Sequence, residues 1–221
     1  MTLRLAISGF GRIGRMTLRA IQEMNRHDME VVLINSPGPV ETSAHLYEFD
    51  SVHGRAGGQI SIGEDWMDIG RGKIKMSRER DPAQIPHAAH KIDIVLECSG
   101  KFNSRDQSAA HLTAGAKKVL VSAPCKNADM TVVYGVNHDQ LNAGVDIVSN
   151  ASCTTNCLAP VAKVLADTVG IEAGYMTTIH AYTGDQPTLD SSHKDLRRAR
   201  AAAMSMIPAS TGATSAVGEV L

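Results

Sequence analysis

Two cysteines lie four residues apart in the polar segment Ser149–Cys157, which reads SNASCTTNC. Thiols at this spacing can form a metal or redox pair, can pack as ordinary apolar side chains, or can comprise one nucleophile beside one structural thiol. No Cys-X-X-Cys motif or pair of histidines lies nearby in the sequence, which argues against a metal site. A disulfide along one helix is geometrically poor because the two Cβ vectors run parallel. The segment therefore favours one reactive cysteine.

Cys153 has the stronger claim to reactivity. Asn150 and Ser152 are good N-cap residues, and the sequence CTTNCLAPVAKVLADTVG that follows has apolar residues at helical spacing. Cys153 would then lie in the first helical turn, where the macrodipole and unpaired backbone N–H groups favour thiolate over thiol. Cys157 would lie one turn deeper, and we interpret it as a buried small apolar residue.

A thiolate nucleophile needs a base that takes and returns its proton. Among the nine histidines, His180 ends the strand-like run TTIHAY and could enter a site from a strand terminus. His53 and His193 are alternatives. Sequence spacing alone does not choose among the three.

A glycine-rich turn near the N-terminus predicts a phosphate site. Gly9, Gly11 and Gly14 form a G-x-G-x-x-G motif that directly follows a predicted strand and opens a predicted helix. In this context the glycines permit a tight turn and a close backbone approach to a pyrophosphate, which the N–H groups of the helix start can hold. The motif therefore predicts dinucleotide binding.

The end of the next predicted strand bears on which dinucleotide is bound. An acidic residue about 20 positions after the glycines commonly binds the adenosine ribose hydroxyls. Here the strand ends in Asn35-Ser36-Pro37 and has no Asp or Glu at that place. A carboxylate would repel a ribose 2′-phosphate, whereas Ser36 would not. This feature favours tolerance of NADP.

Segments of strand and helix character alternate along the chain, which predicts an α/β fold with a doubly wound, mostly parallel sheet. Residues 59–79 hold three short alternating runs broken by GED and GRG, which predicts an antiparallel meander between βα units. The remaining predicted strands are Leu3–Ser8, Glu30–Asn35, Ile92–Cys98, Lys118–Ser122, Val132–Tyr134, Asp146–Ser149 and a long run Tyr175–Tyr182. The predicted helices are Arg12–Met24, Ser104–Ala114 and the one that follows Asn150.

Composition excludes several classes of function. The 221 residues carry a formal net charge of −1, which gives no general attraction to nucleic acid or to an acidic membrane surface. No apolar run approaches the ~20 residues needed to span a bilayer. Four scattered cysteines without a signal peptide favour a reduced, cytoplasmic protein, and no metal site is expected.

Nine segments in order carry a close resemblance to phosphorylating glyceraldehyde-3-phosphate dehydrogenases: GFGRIGR, EFDSVHGR, ERDPAQ, AGAKKV, SAP, VYGVNH, SNASCTTNCLAPVAKVL, HAYTGDQ and HKDLRRARAAA. The resemblance runs along the whole chain. It implies a dinucleotide-binding domain over 1–152 and the first part of an α+β catalytic domain over 153–221. It further implies that NAD or NADP oxidises a phosphorylated aldehyde in the presence of inorganic phosphate, through a cysteine thioester.

The resemblance also assigns roles to single residues. The family's nucleophile falls on Cys153 and its acid–base histidine on His180. The expected cofactor contacts are Gly9, Gly11, Arg12, Ile13, Gly14, Ser36, Arg80, Gly100, Ser122, Ser191 and Ser192. The expected phosphate and substrate contacts are Ser152, Thr154, Thr211 and Gly212 for inorganic phosphate, with Thr183 and Arg198 at the substrate phosphate and Asp185 organising the adjoining loop.

Some positions depart from the family pattern. The usual ribose-binding Asp is Ser36, and the usual Leu-Pro before HKDLRRAR is Ser191-Ser192, similar to NADP-using photosynthetic members. The family continues for about another third of its length, so the sequence resembles a C-terminally incomplete member. A homotetramer is expected for the full-length protein, through a loop at about Thr183–Met204. Erythrose-4-phosphate dehydrogenase and an inactive NAD(P)-binding fragment are the alternatives.

Overall fold

The computed structural model describes residues 2–212 and 216–221. They form two compact units, Met1–Cys153 and Thr154–Leu221. The first unit is built on a nine-stranded sheet, and the second contains most of one long helix followed by irregular chain.

The sheet of the first unit is mostly parallel. Its strand order is β10-β11-β9-β8-β1-β2-β7-β6-β5, and a separate two-stranded hairpin joins β3 to β4. Pairing is parallel from β10 through to β7, whereas β6 pairs antiparallel with both of its neighbours, β7 and β5. The strands are β1 (Leu3–Ser8), β2 (Met29–Asn35), β3 (Phe49–Asp50), β4 (Gly54–Arg55), β5 (Ser61–Ile62), β6 (Trp66–Asp68), β7 (Lys73–Ser77), β8 (Ile94–Glu97), β9 (Lys118–Val121), β10 (Met130–Thr131) and β11 (Ile147–Ser149).

The described residues contain the α-helices α1 (Arg12–Glu23), α2 (Val40–Glu48), α3 (Arg105–Thr113) and α4 (Cys153–Thr168), which connect or follow these strands. Helix α3 begins after Ser104, whose side chain accepts a hydrogen bond from the backbone N–H of Gln107, as an N-cap serine does. Two buried apolar clusters cover the sheet, one around Ile7, Ile34 and Tyr47 and the other around Leu33, Val95 and Ile147. Central strands with both faces covered are typical of a doubly wound fold.

The predicted fold class is confirmed, as is the antiparallel meander over 59–79. The meander joins the main sheet because β7 pairs parallel with β2. Helix α2 and the hairpin β3–β4 were not predicted. Their short segments lack a long amphipathic period.

Two strand predictions are wrong in detail. The strand predicted over Val132–Tyr134 lies at Met130–Thr131, because the side chain of Asn137 accepts from the N–H of Val133 at 2.9 Å and donates to the carbonyl of Thr131 at 3.0 Å, which folds the segment into a turn.

The run Tyr175–Tyr182 forms no strand. The described part of the second unit, 154–212 and 216–221, contains no strand for it to pair with. Its large apolar side chains lie in solvent, with Tyr175 97% and Ile179 87% exposed.

Candidate functional site

The glycine-rich turn connects the end of β1 to the start of α1. Gly9 has a φ of +90°, and a Cβ atom at this position would stand 2.4 Å from the Cα atom of Ser99. A Cβ on Gly14 would stand 2.2 Å from the carbonyl oxygen of Gly9. Both glycines are therefore required by the fold itself, because no side chain fits and the left-handed backbone at Gly9 favours glycine.

Gly11 differs from these two. A Cβ atom placed on Gly11 would meet nothing within 4 Å. Gly11 is the N-cap residue of α1, no acidic residue follows in the first turn, and the first N–H groups of a helix lack intrahelical partners. Open space in front of a helix N-terminus fits a pyrophosphate, which the chain would hold through Gly11, Arg12 and Ile13.

A cavity of about 490 Å³ opens at the carboxyl ends of β1, β2, β7 and β8. Ligands of open α/β sheets bind at this edge. Four predicted cofactor residues line it: Gly9, Gly11, Ser36 and Arg80. Its other walls come from Ser8, Phe10, Asn35, Pro37, Glu79, Cys98, Ser99, Lys101 and Phe102.

The buried side chain of Asn35 fixes one wall of this cavity. Its amide donates to the carbonyl oxygen of Glu79 at 2.9 Å and accepts from the N–H of Glu79 at 2.8 Å and the hydroxyl of Ser77 at 2.9 Å. Ser36 donates its N–H to the carbonyl of Ser77. These contacts fix Ser36 and Glu79 in the wall of the cavity, which the next residue, Arg80, also lines. The sequence argument considered acids only at the end of β2 and missed Glu79, which arrives from β7.

Arg12 is held beside the glycine turn by an ion pair with Asp50, Nη1 to Oδ2 at 2.9 Å. The other carboxylate oxygen of Asp50 accepts the N–H groups of Val52 and His53, both at 2.9 Å. These backbone donors, more than Arg12, hold the pKa of Asp50 well below its usual range.

Gly100 and Ser122 lie next to the cavity-lining residues rather than among them. Gly100 has a φ of +70° and separates Ser99 from Lys101. Ser122 donates its N–H to the carbonyl of Glu97 at 3.0 Å. The sequence argument did not predict that residues of the segment Cys98–Phe102 line the cavity. The segment directly follows β8, and the rule that ligand sites form at the carboxyl ends of strands could have identified it.

Cys153 follows β11 at the same edge of the sheet. Between them Ala151 has a φ of +55°, which is rare for a residue with a side chain. The hydroxyl of buried Ser149 supports this turn by accepting the N–H groups of Ala151 and Cys125 at 3.2 Å and donating to Ala123 at 3.0 Å. The structure thus stores backbone strain two residues before Cys153, as functional turns commonly do.

Helix α4 begins at Cys153, in agreement with the predicted helix start. The side chain is exposed, and its place at the helix N-terminus favours thiolate.

The interpretation of Cys157 as a buried residue is wrong, since Cys157 is also exposed. The buried residues of α4 are Thr155 and Ala159, which repeat every four positions on a different face of the helix. Cys153 and Cys157 therefore share one exposed face.

The other two thiols are shielded. Burial raises the pKa of Cys98 to about 11. The hydrogen bond of Cys98 with Ser122 lowers this pKa, but its effect is smaller than that of burial. Burial also raises the pKa of Cys125. At neutral pH, both Cys98 and Cys125 therefore favour the thiol over the thiolate.

His180 lies in the second unit, in irregular chain. Its Nδ1 atom lies 2.6 Å from the carbonyl oxygen of Ala181. The exposed imidazole lines a cavity of about 540 Å³ whose walls are 178–182, 186 and 202–208.

Asp185 organises a cluster of side chains in the second unit. Its Oδ2 accepts from Nη1 of Arg198 at 2.6 Å, and its Oδ1 lies 3.2 Å from Nε2 of His193. Arg198 also donates to the carbonyl of Ser210 at 3.2 Å. The hydrogen bond with His193, followed by that with Arg198, lowers the pKa of Asp185. Thr183 begins the same loop and donates its N–H to the side chain of Gln186.

The remaining predicted residues lie at or near the surface. In the first unit Ser152 is half-buried next to Cys153, and in the second unit Thr154 is half-buried. In the second unit, the predicted residues Ser191, Ser192, Thr211 and Gly212 are exposed.

Within the described ranges 2–212 and 216–221, no group of three or more His, Cys, Asp or Glu residues is placed to hold a metal ion. No helix in this part of the chain combines the length and apolar character of a membrane span.

Comparison with known proteins decides the family. Residues 3–105 match the model of the glyceraldehyde 3-phosphate dehydrogenase NAD binding domain, and residues 152–221 match that of the glyceraldehyde 3-phosphate dehydrogenase C-terminal domain. The chain belongs to the glyceraldehyde 3-phosphate dehydrogenase family.

Curated relatives agree with this assignment. Over 221 residues the chain is 67% identical to a glyceraldehyde-3-phosphate dehydrogenase of Xanthobacter flavus and 63% identical to one of Cereibacter sphaeroides, with 100% of the chain and 66% of each relative covered. It is 51% identical over 222 residues to glyceraldehyde-3-phosphate dehydrogenase 2 of Bacillus subtilis, covering 65% of that protein. The chain thus spans 66% of the length of the first two glyceraldehyde-3-phosphate dehydrogenases.

Proposed function

We propose that the full protein oxidises glyceraldehyde 3-phosphate, with inorganic phosphate and NAD or NADP, to 1,3-bisphosphoglycerate and the reduced cofactor. One observation carries the proposal. The glycine turn and its cavity lie at the carboxyl ends of β1, β2 and β8, and Cys153 follows β11 at the same edge of the same sheet. A dinucleotide site and an exposed cysteine at a helix N-terminus therefore share one edge of the first unit.

Cys153 is proposed as the nucleophile. Its thiolate adds to the aldehyde carbon of the substrate, which forms a hemithioacetal on Sγ. The dinucleotide, when bound, supplies the hydride acceptor, and loss of hydride leaves a thioester. Inorganic phosphate then attacks the thioester carbonyl and expels the Cys153 thiolate, a good leaving group.

His180 is proposed as the acid–base residue. It takes the proton of the thiol and returns it to the alkoxide that forms when the thiolate adds to the aldehyde. The neutral imidazole then takes the proton of the hemithioacetal hydroxyl as the hydride leaves, so that the carbonyl of the thioester can form. The exposed imidazole and the cavity it lines in the second unit support access to a small substrate.

Short polar side chains and backbone N–H groups are proposed to hold the two phosphates. Ser152, Thr154, Thr211 and Gly212 would bind inorganic phosphate, and Thr183 and Arg198 would bind the substrate phosphate. The ion pair of Asp185 with Arg198 supports a fixed guanidinium at that place.

We further propose that NADP is used at least as well as NAD. Ser36 in the cavity leaves room for a 2′-phosphate, Arg80 supplies a cation, and Ser191 and Ser192 offer hydroxyl donors. Glu79 opposes this preference, since its carboxylate lies on the same cavity. Gly9, Gly11, Arg12, Ile13, Gly14, Gly100 and Ser122 are proposed to serve both cofactors.

The proposal extends to organisation. The division 1–152 and 153–221 would separate a cofactor domain from the first part of a catalytic domain. A cytoplasmic homotetramer without nucleic-acid or membrane partners is proposed for the full-length protein, on the basis of its near-neutral charge and family.

The test is an assay of phosphate-dependent reduction of NAD and NADP with glyceraldehyde 3-phosphate, with erythrose 4-phosphate as the competing substrate. Cys153→Ser should abolish reduction while dinucleotide binding persists. Gly11→Ala should fold, because its Cβ meets nothing, and should lose binding. Binding without turnover in the wild type would support an inactive dinucleotide-binding fragment instead, and faster reduction with erythrose 4-phosphate would move the assignment to that substrate.

A further inference from the structure

A chain of four polar side chains runs from the buried interior of the first unit to the cofactor cavity. Nε2 of His87 lies 3.0 Å from Nδ1 of His111, and Nε2 of His111 lies 2.9 Å from Oε2 of Glu97. Oε1 of Glu97 accepts the hydroxyl of Ser99 and, at 2.7 Å, the N–H of Ser99. His87 and His111 are 0% exposed and Glu97 is 1% exposed, whereas Ser99 lines the cavity.

The geometry fixes the direction of the hydrogen bonds. A buried carboxylate is tolerated when it is paired and hydrogen-bonded, and Glu97 has three donors. His111 therefore donates from Nε2, which leaves Nδ1 to accept from Nε2 of His87. Nδ1 of His87 is then a lone-pair acceptor, and it is buried without a hydrogen-bond partner among the described residues. Burial, with a smaller effect of His111, lowers the pKa of His87 to about 4, so its ring is neutral at physiological pH.

Ser99 lies directly against the glycine turn. Its Cα stands 2.4 Å from the Cβ position of Gly9, so the two backbones touch. The preceding residue, Cys98, donates its N–H to the carbonyl of Ser8 at 2.7 Å. A displacement of Ser99 would therefore move Gly9 and the turn that faces the pyrophosphate.

We propose that Glu97, held from behind by His111 and His87, is a positioning residue that sets Ser99 and through it the dinucleotide-binding turn at Gly9. The inference rests on the proposed function for its ligand, since it names how that site is held. Glu97 does not line the cavity and acts only through Ser99. A buried apolar pair would pack the interior equally well, but it would not hold both the N–H and the hydroxyl of Ser99.

The test measures the NAD dissociation constant by isothermal titration for the wild type, Glu97→Gln and Ser99→Ala. Glu97→Gln keeps the shape of the side chain, yet one amide cannot accept at both ends. Binding should weaken about 10-fold, the equivalent of one displaced hydrogen bond. Asn137→Ala is the matched control. This substitution also removes buried side-chain hydrogen bonds. Asn137 neither lines the cavity nor contacts Ser99, so NAD affinity should stay near the wild-type value.

The double variant separates positioning from simple destabilisation. If Glu97 acts through Ser99, Glu97→Gln should cause a smaller loss of affinity in the Ser99→Ala background than in the wild type, because the hydroxyl contact is already absent and only the backbone N–H contact remains. Wild-type affinity in Glu97→Gln, or a full further loss in the double variant, would overturn the proposal. If Glu97→Gln does not fold, Ser99→Ala removes the hydroxyl contact with Glu97 from the cavity side. A 10-fold loss there would support the proposal and unchanged affinity would overturn it.

Histidine nitrogen NMR provides a readout independent of NAD. The wild type should show His111 and His87 protonated at Nε2, and Glu97→Gln should keep these tautomers, because its one acceptor oxygen stays with His111 and its NH2 group faces Ser99. Protonation of His111 at Nδ1 in the wild type would overturn the hydrogen-bond assignment. A wild type that has the expected tautomers but binds neither NAD nor NADP would overturn the proposed function. The buried network would then be an element of the fold alone, and its proposed role in binding would also be overturned.

Discussion

Arg12 and Asp50 form an ion pair of 2.9 Å in which the two partners have unequal surroundings, since the guanidinium is 47% exposed and the carboxylate 3% exposed. Water screens the attraction on the side of Arg12, so the ion pair itself adds little to stability. The carboxylate also accepts two backbone N–H groups at 2.9 Å. The backbone contacts therefore dominate the role of Asp50.

We expect Asp50→Ala to destabilise the protein clearly more than Asp50→Asn. The amide of asparagine can still accept from Val52 and His53, whereas alanine leaves both N–H groups without that partner. Urea unfolding monitored by circular dichroism measures both variants, with Arg12→Met as the control for the ion pair. Equal losses for Asp50→Asn and Asp50→Ala would show that the charge matters more than the backbone contacts.

Cys153 should react first of the four thiols. Brief treatment with iodoacetamide at neutral pH, followed by peptide mapping, should label Cys153 about 10-fold faster than Cys157, because the helix N-terminus favours its thiolate. Cys98 and Cys125 should react slowest, since burial raises their pKa values. Cys157→Ala is the control and should leave the labelling rate of Cys153 unchanged. Preferential labelling of Cys157 with matching loss of activity would contradict the assignment of the nucleophile.

His180→Asn should slow the chemical step by about 100- to 10,000-fold, the range for loss of a positioned acid–base group. NAD affinity should hardly change. Single-turnover kinetics with the full-length protein measure the first quantity and titration measures the second. His27→Asn, an exposed histidine of the first unit, is the matched control. Normal turnover with weakened NAD binding would show that His180 has a different role.

The choice between cofactors should respond in opposite directions to two substitutions in one cavity. Ser36→Asp should shift the ratio of kcat/KM values toward NAD by about 10-fold or more, because a new carboxylate can bind ribose hydroxyls and repels a 2′-phosphate. Glu79→Gln should shift the ratio toward NADP because it removes a negative charge.

Two outcomes of the kcat/KM measurement would contradict this prediction. A wild type that strongly prefers NAD, together with an unchanged ratio in Ser36→Asp, would contradict the role of Ser36. A shift toward NAD in Glu79→Gln would contradict the role of Glu79.

His87 should make the stability of the protein depend on pH in acid. Burial, then the neighbouring His111 and His90, lowers its pKa from 6.5 to about 4. Between these values the unfolded chain binds a proton at this position that the folded chain does not, so the free energy of unfolding falls as the pH decreases. Between pH 6.5 and about 4, His87→Gln should make the free energy of unfolding fall less steeply with decreasing pH, because the unfolded chain then binds one proton fewer. Urea titrations across this pH range test the expectation, with His27→Gln as the control for loss of a histidine. An unchanged slope in His87→Gln would contradict it.

Much of the first unit could be predicted because its strands and helices have strong local periods. Leu3–Ser8 and the start of α1 at Arg12 agree with the structure residue by residue. Glu79 could not be placed, because its position on the cavity depends on the pairing of β7 with β2, which no local pattern specifies. The exposure of Cys157 was missed for a related reason, since helical spacing shows which residues share a face but not which face is covered. The alternating run Tyr175–Tyr182 shows the same limit, because alternation forms a strand only where a partner strand exists.

The pairing of β1 with β8 has a consequence for synthesis on the ribosome. Strand β1 can pair with β2 soon after both emerge, but its other edge pairs with residues 94–97. Until those residues leave the exit tunnel, an apolar strand edge of the nascent chain stays open to wrong partners. The contact of Gly9 with Ser99 forms only when that edge closes. A nascent chain that ends before β8 therefore carries the glycine motif without the surface against which it packs, and chaperone protection of that edge during translation should matter more than protection of the later strands.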